Sequence, residues 1–170
     1  MAIIIASGLS HGWLPDAQRM LFEYMAATEV EAGRASVAAP KQLPASLRGE
    51  QVEPGAVYRA PGDLLLAIEG DEAVGCVGLR VLDEATAEVR RLFVRPGHRG
   101  GGAATQLMHA AHARASDAGL AKVVLDVMPS REAVIQWYRR LGYVEVAPPA
   151  RNPYGMVFME RALGATPRRV

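Results

Sequence analysis

The residue types and spacing best suited to chemistry lie in one stretch, Glu88-Val-Arg-Arg-Leu-Phe-Val-Arg-Pro-Gly-His-Arg-Gly-Gly-Gly-Ala-Ala104. An apolar run ends at Gly100, Gly101 and Gly102, and an alanine-rich run begins at Ala103. This reads as a strand, a glycine turn and the start of a helix. The first turn of a helix has backbone N–H groups with no intrahelical acceptor, at the positive end of the helix dipole. Glycines let an anion approach that backbone closely, so the pattern suits a phosphate or pyrophosphate. The backbone from Arg99 through Ala104 is the expected cradle, with Thr105 following.

Two common phosphate loops do not fit. A P-loop places a lysine and a hydroxyl residue directly after its last glycine, where Ala103 and Ala104 stand. The dinucleotide fingerprint needs a third small residue where Thr105 stands, and it opens a parallel α/β unit. Here the glycines follow three consecutive strand-like runs.

The rest of the chain must position that stretch. Its 170 residues suffice for one domain with a substantial core. Nineteen basic and eighteen acidic side chains give a net charge of only +1, which disfavours a nucleic-acid partner. The one cysteine, Cys76, cannot form an internal disulfide and fits a reducing, cytoplasmic setting. The apolar start, Met1 to Ala6, lacks the basic leader of a signal peptide. No apolar run has the length of a membrane span, so no membrane association is expected.

In order, Ala2–Ala6 reads as an edge strand, and Met20, Leu21, Tyr24 and Met25 recur at helical spacing within a helix over about 15–31. Periodicity then weakens from Gly33 to Pro61. A short helix over Lys41–Arg48 is expected there, in a segment read either as a lid or as a packed surface loop. Leu64–Ile68, Ala73–Leu82 and the strand ending at Val94 form an antiparallel meander. Gly75 and Gly78 predict a close backbone approach or a bend in its middle strand.

The third strand changes phase. Ala87 and Val89 are apolar on one alternation, Leu92 and Val94 on the other. A β-bulge at Arg90-Arg91 would return both halves to one core. A helix bearing Leu107, Met108, Ala111 and Ala115 follows, ending near Gly119. Lys122–Val127 is then a strand parallel to the one before the glycines. Ser130 is expected to cap a helix carrying Val134, Trp137, Tyr138 and Leu141. Tyr143–Val146 and Gly155–Glu160 form a closing strand pair around a Pro148–Pro153 loop. Residues 164–170 are expected to be a flexible tail, leaving a single domain over 1–163.

Arg99-x-x-Gly102-x-Ala104 after an apolar strand resembles the coenzyme A pyrophosphate loop of the GNAT superfamily, the GCN5-related N-acetyltransferases. Ala133 to Tyr143, with Tyr138-Arg-Arg-Leu-Gly142-Tyr143, is similar to that superfamily's second conserved block. The meander before the loop and the strand pair after it also agree. The resemblance covers residues 63–160 and implies an α/β fold on a central mixed sheet. Its order is strand, two helices, three strands, helix, strand, helix, two strands.

The resemblance implies an acetyl-coenzyme A-dependent N-acetyltransferase. The acetyl group would pass to a primary amine of a small molecule or protein, directly in a ternary complex. Leu92, Phe93 and Val94 would lie along the pantetheine arm, in a slot that opens where the strand before the glycines parts from Lys122–Val127. Tyr138 is the implied general acid for the leaving thiolate, and Glu88 the implied base. A core tyrosine and a surface carboxylate paired with Arg80, Arg90 or Arg91 are the plain alternatives.

Many relatives carry an asparagine where this chain has Pro129-Ser130-Arg131-Glu132; Ser130 is the candidate hydroxyl contact to the cofactor there and Arg131 a candidate phosphate contact. His109 and His112 lie one turn apart without a completing metal set, so no metal is expected. Tyr58 and the Pro148–Tyr154 loop are candidate walls for the acceptor. A homodimer is left open. The rival reading is a non-catalytic acyl-coenzyme A sensor or interaction module on the same fold.

Overall fold

The computed structural model describes residues 2–149 and 151–164. The strands are β1 (Ile3–Ser7), β2 (Asp63–Glu69), β3 (Glu72–Val81), β4 (Thr86–Val94), β5 (Lys122–Val127), β6 (Val144–Val146) and β7 (Val157–Ala162). The helices are α1 (Leu14–Glu31), α2 (Ala45–Val52), the single turn α3 (Pro54–Val57), α4 (Ala103–Asp117) and α5 (Glu132–Arg140). They build one seven-stranded sheet in the order β1-β2-β3-β4-β5-β7-β6. This is the expected mixed α/β sheet, with α3 as an additional turn.

β2 shows why the sheet is covered on both sides. Leu65 and Ala67 point into one buried cluster, Leu64, Leu66 and Ile68 into the other. The first cluster is closed by Leu107, Met108, Ala111 and Ala115 of α4, and the second by Ala17, Met20, Leu21 and Met25 of α1. Strands buried on both faces read as continuous apolar runs, as Leu64–Ile68 does.

The bulge in β4 lies one residue beyond the expected place. Cys76 pairs with Phe93 and Gly78 with Arg90, so Val77 alone faces Arg91 and Leu92. Arg91 takes the left-handed conformation, φ 57°. The insertion lets Ala87, Val89, Leu92 and Val94 all serve the α4-side core. Gly78 answers the close approach predicted for it: a Cβ there would sit 2.3 Å from the Tyr58 ring.

β4 and β5 pair in parallel only over Thr86↔Lys122, Ala87↔Val123 and Glu88↔Val124. Beyond that point β4 stays with β3 to Val94, and β5 stays with β7 to Val127. The sheet therefore forks, leaving one edge of β4 free from the bulge onward.

Two expectations need correction and one alternative narrows. The helix expected over Lys41–Arg48 runs instead over Ala45–Val52, after a tight turn at Pro40–Gln42. Of the two readings of the 33–61 segment, the packed one holds for its later part, where Leu43, Glu50, Gln51 and Tyr58 are buried. α2 is tied to α1 where Gln18 Nε2 donates to Val52 O at 2.7 Å and Gln51 Nε2 to Gln18 O at 3.0 Å. Ser130 does not cap α5. Arg131 holds that position without a side-chain capping bond, and Ser130 is exposed. No helix among the described residues is long and apolar enough to cross a membrane. The tail expected over 164–170 lies, apart from Gly164, outside the described residues.

Candidate active site

The fork opens into a cleft of about 590 Å³. α1 forms one wall with Tyr24, Thr28 and Glu31, and α5 forms the other with Arg131, Val134, Trp137 and Tyr138. Leu92, Phe93 and Val94 of β4 form its back, and Arg99 and Ala104 lie at one end. Seven of the residues singled out from sequence therefore meet here: Leu92, Phe93, Val94, Arg99, Ala104, Arg131 and Tyr138.

At the Arg99 end, α4 starts on Gly102 with φ 85° and no side-chain cap. The first helical bond is from Gln106 N–H to Gly102 O, 3.0 Å. Among the described residues, the backbone N–H groups of Gly100, Gly101, Gly102, Ala103, Ala104 and Thr105 have no acceptor. Gly100 also has positive φ, 83°, and a Cβ at either Gly100 or Gly102 would meet open space. These glycines are thus required by backbone conformation rather than by crowding. Arg99 Nε donates to Val94 O at 2.9 Å, tying the loop to the end of β4. Donors and dipole here converge on a site for a multiply charged anion.

Tyr138 lies deeper, only 7% exposed. Its ring packs on Trp137 and Tyr143, with centroids 5.1 and 5.5 Å away. Among the described residues its hydroxyl makes no hydrogen bond. Burial, reinforced by the nearby Tyr24 phenol, raises its pKa well above the ordinary value despite Arg131. The group is therefore a neutral phenol with a donor to give.

Glu88 and Ser130 stand outside the cleft lining. Glu88 sits where β4 and β5 still pair, opposite Val124. Arg80 Nη2 lies 2.7 Å and Arg90 Nη1 3.5 Å from its Oε2. It is an ion-paired carboxylate at the closed end of the fork. Tyr58 is fully buried and donates to Glu50 Oε1 at 2.5 Å, so it cannot be an acceptor wall. His112 is buried and bonded through Nε2 to the Tyr143 hydroxyl at 2.8 Å. Among the described residues no group of three His, Cys, Asp or Glu could hold a metal ion.

Two groups were not identified from sequence, one in the cleft lining and one outside it. Tyr24 read only as part of an apolar helix face, although its ring meets Phe93 edge-on at 6.3 Å and lines the cleft. Glu50, 7% exposed, lies in a weakly periodic segment, and nothing in its neighbours marks it.

The model of the acetyltransferase (GNAT) family matches residues 28–143. An IAA acetyltransferase of Azospirillum brasilense is 32% identical over 104 residues, 58% of this chain and 67% of that protein. A GNAT-family acetyltransferase of Staphylococcus aureus superposes with TM-score 0.74 at 18% identity, covering 95% of this chain and 99% of that one. PaiA N-acetyltransferase of Thermoplasma acidophilum, solved with coenzyme A, gives TM-score 0.68 at 16% identity, covering 95% and 99%. These structures share the fold. The family match spans the fork, the bare start of α4 and the buried Tyr138, and by it the chain belongs to the acetyltransferase (GNAT) family.

Proposed function

We propose that the chain is an acetyl-coenzyme A-dependent N-acetyltransferase. In this reading one domain over residues 1–163, cytoplasmic, moves an acetyl group to a primary amine of a small molecule or protein. Transfer is direct, within a ternary complex. The observation that carries the reading is the forked cleft, which brings an anion-binding helix terminus and a buried phenol to the same free strand edge.

Acetyl-coenzyme A supplies an activated thioester. The N–H groups of Gly100 to Thr105, with Arg99, hold its pyrophosphate. The free edge of Leu92–Val94 offers backbone donors and acceptors to an extended arm, as a strand edge does to an added peptide. Tyr138 donates its proton toward the departing thiolate. Glu88 accepts the amine proton through water, because its carboxylate lies outside the cleft and is held by Arg80 and Arg90. In this reading Ser130, exposed just before α5, is a further contact for the cofactor.

The test is release of free thiol from acetyl-coenzyme A by the purified protein across a panel of amines. Release with at least one amine is expected. A Gly102→Glu protein, strained at φ 85° and carrying a carboxylate at the anion site, is expected to lose cofactor binding with its circular dichroism unchanged. Cofactor binding without thiol release from any amine would instead support the sensor reading.

A further inference from the structure

The buried carboxylate of Glu50 has no part in the reading above. We propose that Glu50 is a positioning residue for acetyl transfer: by clamping Arg91 it holds the β4 bulge that aims the Leu92–Val94 edge into the cleft. The proposal rests on the N-acetyltransferase reading.

Arg91 is the one non-glycine with positive φ among the described residues, 57°. That conformation is strained for a side chain with a Cβ and persists only where the surroundings hold it. Three contacts do so. Glu50 accepts two parallel bonds from the Arg91 guanidinium, Nε to Oε1 and Nη2 to Oε2, each 2.9 Å. The Cys76 thiol donates to the Arg91 carbonyl at 3.4 Å. The guanidinium also lies over the Tyr24 ring, 5.5 Å from its centroid.

Glu50 is itself fixed. The Tyr58 hydroxyl donates to Oε1 at 2.5 Å and Arg90 Nη2 to Oε2 at 3.2 Å. Tyr58 fits only because position 78 is glycine. The Gln18–Val52 and Gln51–Gln18 bonds set the height of α2 against α1.

A buried ion pair is a poor device for stability alone, since apolar packing would serve as well. What a two-point carboxylate–guanidinium fork adds is fixed orientation. Here the residue oriented adjoins the free edge of β4. It also braces Tyr24, which lines the cleft against Phe93. Releasing Arg91 would let both the back and one wall of the cleft shift, while the Gly100–Thr105 cradle stays in place.

The test uses the full chain, acetyl-coenzyme A and the best amine from the panel. Glu50→Ala is expected to lower kcat about 10- to 100-fold, the loss that a displacement near 1 Å can cause. The acetyl-coenzyme A dissociation constant should stay within about threefold, because the α4 cradle is untouched. Glycine takes positive φ without strain, so in an Arg91→Gly background Glu50→Ala should lower kcat by less than about threefold. If Glu50→Ala fails to fold, Glu50→Gln replaces it; it keeps the shape, loses the charge and should show a smaller loss of kcat in the same direction. Unchanged kcat with only a lowered melting temperature, or additive losses in the double variant, would overturn the proposal. Absence of thiol release by the unaltered protein would overturn the underlying reading instead.

Discussion

Arg131 reaches across the cleft to Glu31, its Nε donating to Glu31 Oε1 at 2.8 Å across a sequence separation of 100 residues. A second contact joins Nη2 to Oε2. Both residues line the cleft, one at the end of α1 and the other at the start of α5. The hydrogen bond and charge of Arg131 hold the Glu31 carboxyl below its ordinary pKa, despite some burial. A polyanionic cosubstrate entering here meets a fixed negative charge and an arginine already occupied.

Glu31→Gln should therefore tighten acetyl-coenzyme A binding. Both side chains are partly exposed, so the gain is modest, about three- to tenfold, and shrinks as salt rises. Calorimetric titration at low and high ionic strength checks it. Unchanged affinity at low salt would mean that the pair does not face the bound cosubstrate.

Tyr138→Phe keeps the ring that packs on Trp137 and Tyr143 and deletes only a hydroxyl that makes no hydrogen bond among the described residues. Stability should change little. If the hydroxyl protonates the leaving thiolate, kcat should fall about 100-fold or more, with acetyl-coenzyme A affinity retained. Thiol release and direct binding, measured on one preparation, separate the two effects. Full turnover by Tyr138→Phe would remove this residue from the chemistry.

Much of this architecture can be read from local pattern, and its limits are physical. A strand alternates faces with a period of two, so one inserted residue shifts every later side chain. That is why Ala87, Val89, Leu92 and Val94 located the bulge to within one residue. The bare start of α4 was visible because glycines and the absence of a capping side chain are local features. Glu50 and Tyr58 were not, because their burial is decided by Gly78 and Arg91, distant in sequence. Ser130 illustrates a different failure. A hydroxyl before an apolar helix suggested a cap, yet α5 starts at Glu132 and the adjacent Arg131 is drawn to Glu31. A tertiary ion pair here overrode a local capping preference.

His112 offers a test of the core that is independent of catalysis. Burial, with the nearby charge of Arg161 and the neighbouring His109, lowers its pKa to about 4. In the unfolded chain a histidine titrates near 6.5. Between these two values the unfolded state binds the extra proton, so folding stability falls as pH drops. This contribution is fully present above about pH 6.5, declines toward pH 4 and is flat below, amounting to roughly 3 kcal/mol at most. Ring resonances of His112 should stay those of the neutral form at pH 5.5. Denaturant unfolding at pH 7.5 and pH 5 should show a smaller difference in His112→Gln than in the unaltered protein. A ring that titrates near 6.5 would mean that the Tyr143 contact and the α4-side core do not keep His112 from water.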